Sequence, residues 1–441
     1  MALDLARRRF VLGSGAVVGA AAAASAVAST GTARALPPSG PVSYTDRRGR
    51  IDWRAVRDEF RLDRSWTHLA AFLLTSHPRT VRQSIDHYRE LMDRDPVWIW
   101  DHFDAESARV RTSLAGYTGG RPDEIALTPN TTVGIGLVYN SLNIRPGQEM
   151  FISEHDHPVH RCTVDLVARR CGAVVRDGKL YDTPAKASAT EAMERLRAAI
   201  GPKTRTVGAT WVHSSTGVKL PIPALAEVVA EANRGRAEED RCFLVVDGLH
   251  GFGIEDADAA RLGGDFFISG THKWLFGPRG TGFVWGRPEA WKQLSPVISA
   301  TYPKHDQNSP TGPADIAPGA YFAFEHTFSV PAAVDFHQKL GRRPVQERIH
   351  GLSTQVKEGL ADIPGVTVHT PLNPAMSSGM TCFEIDGIAH QEVIDQLKAR
   401  RIRASVAAYR VHYPRIGTGI VNSPEEVDHT LAAIRDIAER K

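Results

Sequence analysis

Lys273, Asp247 and the pair Thr131-Thr132 are the residues whose types and surroundings point to chemistry. The chain has 11 lysines against 42 arginines, so a single lysine stands out. Lys273 follows the apolar run Phe266-Phe267-Ile268-Ser269 in the segment Gly270-Thr271-His272-Lys273-Trp274. A lysine held at a strand exit among apolar groups is desolvated, which lowers its pKa and suits it to Schiff-base chemistry. Upstream, Leu244-Val245-Val246 ends in Asp247-Gly248-Leu249-His250. A carboxylate there can keep a pyridinium nitrogen protonated and make the ring an electron sink. Further upstream, Thr128-Pro129-Asn130-Thr131-Thr132-Val133-Gly134 leads into an apolar helix. Hydroxyls and free backbone N–H groups at a helix start suit a phosphate. An aldehyde-accepting lysine, an acid and a phosphate cradle are the parts needed to use pyridoxal 5'-phosphate (PLP).

These residues need a scaffold that places strand ends side by side. Glu149–Glu154, Thr206–Val212, Cys242–Val246, Phe266–Ser269 and Gly282–Trp285 read as short buried strands rich in apolar residues. Helical segments at 158–170, 189–199 and 222–233 lie between them. Such alternation predicts an α/β layer with a mostly parallel sheet, whose ligands sit at the carboxyl ends of the strands. After about residue 330 the pattern changes to long helices at 331–340 and 345–360, a strand at 380–385 and helices at 391–401 and 424–440. The expected organisation is a large domain over 36–330 and a smaller α+β domain over 331–441, with the start of the large domain free to pack on the small one.

With 441 residues, 42% of them hydrophobic and 23% charged, the chain has ample material for a large core, and collagen, disordered and disulfide-scaffold classes are excluded. Its formal net charge of +3 is carried by residues 1–35, where Asp4 stands against Arg7, Arg8, Arg9 and Arg34. The remainder is neutral, which gives no electrostatic reason to expect nucleic acid or an anionic membrane as a partner. The opening Arg7-Arg8-Arg9-Phe10-Val11-Leu12, a mild apolar run and Ala33-Arg34-Ala35 resemble a twin-arginine (Tat) export signal with its cleavage site. A periplasmic or extracellular protein is expected, free of the membrane once the signal is cut. The four cysteines, Cys162, Cys171, Cys242 and Cys382, form no C-x-x-C pair and read as structural thiols.

From about residue 63 onward the sequence resembles the class V aminotransferase family of fold-type I PLP enzymes, in its isopenicillin N epimerase-like branch. The resemblance is carried by Val245-Val246-Asp247-Gly248-Leu249-His250-Gly251 and by Thr271-His272-Lys273-Trp274-Leu275-Phe276-Gly277-Pro278-Arg279-Gly280-Thr281-Gly282. It implies that Lys273 carries the cofactor as an internal aldimine and moves the substrate Cα proton. It also implies that Asp247 pairs with the ring nitrogen, that His250 lies near the ring hydroxyl, and that Thr132 and His272 contact the phosphate. Where desulfurases of the family have a serine, this chain has Gly270, with Ser269 or Thr271 to substitute. Either His155 or His157 is expected to stack on the cofactor, with His157 preferred, and Ser214 is the positional match for a polar cofactor contact. Arg415, in Arg415-Ile416-Gly417-Thr418-Gly419, matches the arginine that clamps the substrate carboxylate, with Arg403 and Arg410 as alternatives.

The implied activity is that of an aminotransferase-type enzyme acting on an amino acid or related amine, as a homodimer. Epimerisation and C–S cleavage are open on the same scaffold, and a non-catalytic binding protein is the rival from another class. A desulfurase is disfavoured, because Cys382 falls in a segment that reads as a buried strand, Met380–Ile385. The H-x-H-x-x-H set of His155, His157 and His160 lacks a convincing completing ligand, so no metal is expected.

Overall fold

The computed structural model describes residues 43–300, 311–319 and 321–440. The expected export segment, residues 1–35, lies outside them. The main feature is a seven-stranded sheet. Its order is Ile125–Thr128, Gly282–Gly286, Phe266–Gly270, Phe243–Asp247, Thr204–Thr210, Glu149–Ser153 and Val174–Gly178. Gly282–Gly286 runs antiparallel to both neighbours, and every other adjacent pair is parallel. Phe243–Asp247 and Phe266–Gly270 are buried along their whole length. That is why they read as unbroken apolar runs: both faces of a central parallel strand are covered by helices.

The two strand-ending segments are in register where it matters. Thr210 pairs with Asp247, and Asp247 with Ile268, so three chain exits open on one edge of the sheet. The helix Thr131–Ser141 begins beside them, with the Asn130 side chain accepting from the Val133 N–H at 2.9 Å. It lies close against the sheet because residue 134 is glycine. A Cβ there would sit 2.6 Å from Ile268 Cγ2.

A second sheet of four strands, ordered Ser405–Val406, Pro414–Gly417, Met380–Ile385 and Val366–Val368, is antiparallel throughout. The helices Arg342–Ala361, His390–Ala399 and Pro424–Glu439 contribute to its core with Leu352, Val393, Leu397 and Ile434. Leu69 belongs to that same core, and Thr67–His68 pairs in parallel with Ile402–Arg403. The N-terminal segment therefore packs beside the C-terminal sheet. The segment Leu69–Thr75 runs on toward the sheet edge, where the Thr75 hydroxyl donates to the His272 carbonyl at 2.9 Å.

Candidate active site

Lys273 leaves the end of Phe266–Gly270 and is buried, with Nζ 3.2 Å from His250 Nε2. Burial pushes the amine down to about 8, against the pull of Asp247, and the charge of Arg415 adds to the lowering. His250 is held well below its usual range by burial and by the neighbouring positive charge of Lys273. Its Nδ1 accepts from the indole N–H of Trp274 at 3.4 Å. A neutral imidazole that accepts at Nδ1 carries its proton on Nε2, so His250 presents an N–H to the Lys273 amine in its uncharged form.

Asp247 is buried at the end of its strand, and Oδ1 accepts from the Leu249 N–H at 3.1 Å. Burial raises its carboxyl to about 6, partly offset by that N–H and by Lys273, while a second buried acid, Asp156, raises it further. A buried carboxylate with one hydrogen bond to its own turn is poised for a cationic partner. Asp156 itself is spoken for. It takes the N–H groups of Ser153 and Thr210 at 2.8 and 2.7 Å and lies 3.3 Å from His213 Nε2. Burial opposes its ionisation, yet the His213 contact and these donors hold it down at about 2.

At the helix start, Thr131 Oγ1 and His272 Nδ1 are buried polar atoms with no hydrogen-bond partner among the described residues. They flank Gly270, where a Cβ would stand 2.7 Å from His272 Cε1 and 3.3 Å from Thr131 Oγ1. Thr132, one residue on, is exposed. Burial, with Lys273 beside it, pushes His272 down to about 4, so its ring is a neutral donor or acceptor. Two unpartnered buried groups at a helix N-terminus fit a phosphate, and Asp247 fits a protonated ring nitrogen, so these residues fit PLP.

On the other side of the site, Arg415 is only 5% exposed. Its Nη1 donates to the Ser214 carbonyl and hydroxyl, both at 2.9 Å, and its Nε to the Ser405 hydroxyl at 3.0 Å. The guanidinium also stands over the Phe72 ring, 4.7 Å from its centre. No carboxylate among the described residues pairs with it. Burial lowers its pKa from the ordinary arginine value, in keeping with a cation that lacks an anion.

Of the two histidines, His157 stands beside this cluster. Pro158 starts a helix, which makes His157 its N-cap, with Nδ1 accepting from the Val159 N–H at 3.1 Å. Burial and the charges of Lys273, His160 and Arg415 push it down to about 4. His155 is turned elsewhere. Its ring stacks on Tyr181 at 4.2 Å, in a buried network where the Tyr181 hydroxyl meets His213 Nδ1 and the Thr216 hydroxyl. The third histidine of that set, His160, bonds the Tyr139 hydroxyl at 2.8 Å. Among the described residues no group of three or more potential ligands could hold a metal.

The turn before Lys273 engages the hydroxyls of Ser269 and Thr271, the two residues offered as substitutes for the family's serine. The Ser269 hydroxyl is fully buried and donates to the Gly270 carbonyl at 2.9 Å. The Thr271 hydroxyl is paired with that of Thr281 at 2.5 Å. Both are consumed in shaping the turn before Lys273. One residue that the sequence did not single out lies at the centre: Tyr409, whose hydroxyl hydrogen-bonds the Ser214 hydroxyl and whose ring meets His157 edge-on at 5.2 Å. It sits in the loop between Ser405–Val406 and Pro414–Gly417, and no spacing signal marks which loop residue points inward.

Residues 75–428 match the family described as aminotransferase class-V. An isopenicillin N epimerase from Streptomyces clavuligerus is 29% identical over 87% of this chain and 98% of its own length. A probable cysteine desulfurase from Vibrio cholerae is 23% identical over 83% of this chain and 92% of its own. Among solved structures, a C-DES mutant with glycine covalently linked to its PLP cofactor superposes with a TM-score of 0.78, at 24% identity, over 86% of this chain and 99% of that one. An apo cysteine desulfurase from Thermococcus onnurineus gives 0.76 at 18% identity, over 88% and 98%.

Proposed function

This chain belongs to the class V aminotransferase family, and from that premise we propose that it removes the α-proton of an amino acid whose carboxylate is held by Arg415. Its fold is that of the fold-type I PLP enzymes, and PLP is its cofactor. The reading is carried by one observation: a buried guanidinium, Arg415, bonded to hydroxyls and a carbonyl and paired with no acid, beside an amine held near neutrality. A substrate α-carboxylate supplies the missing anion, and a charge-assisted bond in a desolvated site is the strong kind.

Each side chain then has a task. Thr131, Thr132 and His272, with the N–H groups of the helix start, hold the phosphate, and Asp247 holds a proton at the ring nitrogen. Bound PLP supplies a sink for the electron pair left at Cα. Lys273 would hold the cofactor aldehyde and, as a free amine, would take the substrate Cα proton. An amine held near 8 is already partly neutral at physiological pH, which a base requires. His250, donating to Lys273, orients that amine, and His157 closes the site from the helix side.

Among the outcomes open to this family, cysteine desulfuration fits least. That chemistry needs a mobile cysteine from the C-terminal part of the chain, where Cys382 is the one cysteine after residue 330. It is buried within Met380–Ile385 and burial raises its thiol to about 12, while the exposed Cys162 belongs to the helix Pro158–Cys171. Epimerisation fits better and accords with the named activity of the Streptomyces relative. The test is α-proton exchange: each common amino acid in deuterated buffer, with wild type and Arg415→Gln, followed by proton NMR. The reading predicts exchange that saturates with amino acid, and an apparent KM at least about tenfold higher in the variant. No exchange of any amino acid by the PLP-loaded wild type would refute it.

A further inference from the structure

Inverting a stereocentre takes two proton-transfer groups, because a lysine that takes a proton from one face of a planar carbon returns it to that face. Lys273 reaches the site from the turn after Phe266–Gly270. Tyr409 reaches it from a different element, the hairpin loop between Ser405–Val406 and Pro414–Gly417. Its ring stands edge-on to His157, with 85° between the planes. Its hydroxyl bonds Ser214 Oγ, which in turn lies 2.9 Å from Arg415 Nη1. The phenol oxygen is thus two hydrogen bonds from the guanidinium that takes the substrate carboxylate. The carbon of that carboxylate is one bond, about 1.5 Å, from Cα. The phenol thus stands on the side of the site where Arg415 would hold the carboxylate.

Resting on the reading of Lys273 and Arg415 above, we propose that Tyr409 is the second proton-transfer group at Cα, serving the face away from Lys273, and that the chain interconverts the stereoisomers of an α-amino acid. In one direction the Cα–H bond breaks, its proton goes to the Lys273 amine, and its electron pair passes to the PLP sink. The Tyr409 O–H bond then breaks and a new C–H bond forms on the opposite face. Lys273 is left as an ammonium and Tyr409 as a phenolate, and exchange with solvent resets both. The reverse direction exchanges the two roles, and nothing is oxidised or reduced. Ser214 and Arg415 are placed to steady the phenolate, while burial keeps the phenol protonated at rest by raising its pKa well above 10.

The test uses PLP-loaded wild type and Tyr409→Phe, incubated in deuterated buffer with each of the twenty common amino acids, the chiral ones as single enantiomers. Proton NMR and chiral chromatography follow label and configuration, and the visible cofactor band and PLP affinity are read on the same samples. Wild type should yield the opposite enantiomer carrying deuterium at Cα. In Tyr409→Phe, inversion should fall about a hundredfold or more, label in the enantiomer whose Cα–H faces Lys273 should fall less than tenfold, and band and affinity should stay within twofold. Wild type that exchanges the α-proton without inverting it overturns the proposal. So does a variant that inverts within threefold of wild type, or one that loses the cofactor band, which would make Tyr409 a cofactor ligand. Wild type with no exchange at all overturns instead the reading of Lys273 on which the proposal rests.

Discussion

Cys382 and Arg415 face each other as a register pair across adjacent antiparallel strands, Met380–Ile385 and Pro414–Gly417. The guanidinium reaches out to Ser214 and Ser405, whereas the thiol is buried, 4.0 Å from the Ser214 carbonyl. One strand pair thus offers the site a cation and withholds a nucleophile.

Native protein at pH 8 should leave Cys382 unmodified by iodoacetamide, since burial raises its thiol to about 12 and thiolate is the reactive form. Cys382→Ala should lose roughly 1 kcal/mol of stability for the sulfur removed and keep α-exchange within twofold. Peptide mass mapping and a melting curve check both. An inactive alanine variant with normal melting would restore the desulfurase reading.

Uptake of PLP by apo protein should track the neutral fraction of Lys273. Its lowered pKa means that the amine is protonated and slow below about pH 8 and neutral above it, whereas an ordinary lysine turns near ~10.4. Stopped-flow absorbance between pH 6 and 11 should show the rate rising to a plateau with its midpoint near 8. A rate still climbing beyond pH 10 would show that burial does not hold the amine down.

Asp247→Asn keeps the shape of the strand end and removes its charge. The α-exchange rate should fall about a hundredfold or more, because electron withdrawal into the ring loses its anion. Melting should change little or rise, since a buried carboxylate raised to about 6 costs folding energy to ionise. Equal exchange in variant and wild type would remove Asp247 from the chemistry.

Gly270→Ala probes the phosphate cradle. The added Cβ would press on the His272 ring at 2.7 Å and narrow the space toward Thr131. PLP affinity should drop at least about tenfold, equivalent to ~1.4 kcal/mol, read by equilibrium dialysis, with apo-protein melting shifted by only a few degrees. Unchanged affinity would move the phosphate elsewhere.

The placement of the candidate residues was legible at the strand exits. Asp247 and Lys273 each follow an apolar run, and in a buried parallel sheet such runs end at the ligand edge. The capping place of His157 was legible too, since Pro158 at a helix start makes its predecessor the cap. The turn bonds of Ser269 and Thr271 were not, because a hydroxyl bonded within its own turn has the same residue type as one facing outward. Tyr409 was invisible for a related reason. Its place depends on a short hairpin folding against Ser214, 195 residues earlier, and no local pattern records that contact.

The absorption spectrum of purified wild type and Lys273→Ala tests whether Lys273 is the lysine that binds PLP. Wild type should show a visible band that borohydride abolishes, with the reduced cofactor then found by mass spectrometry on the peptide containing Lys273. Lys273→Ala should lack both band and adduct. A wild type that stays colourless with added PLP, or an adduct on another lysine, would contradict the account.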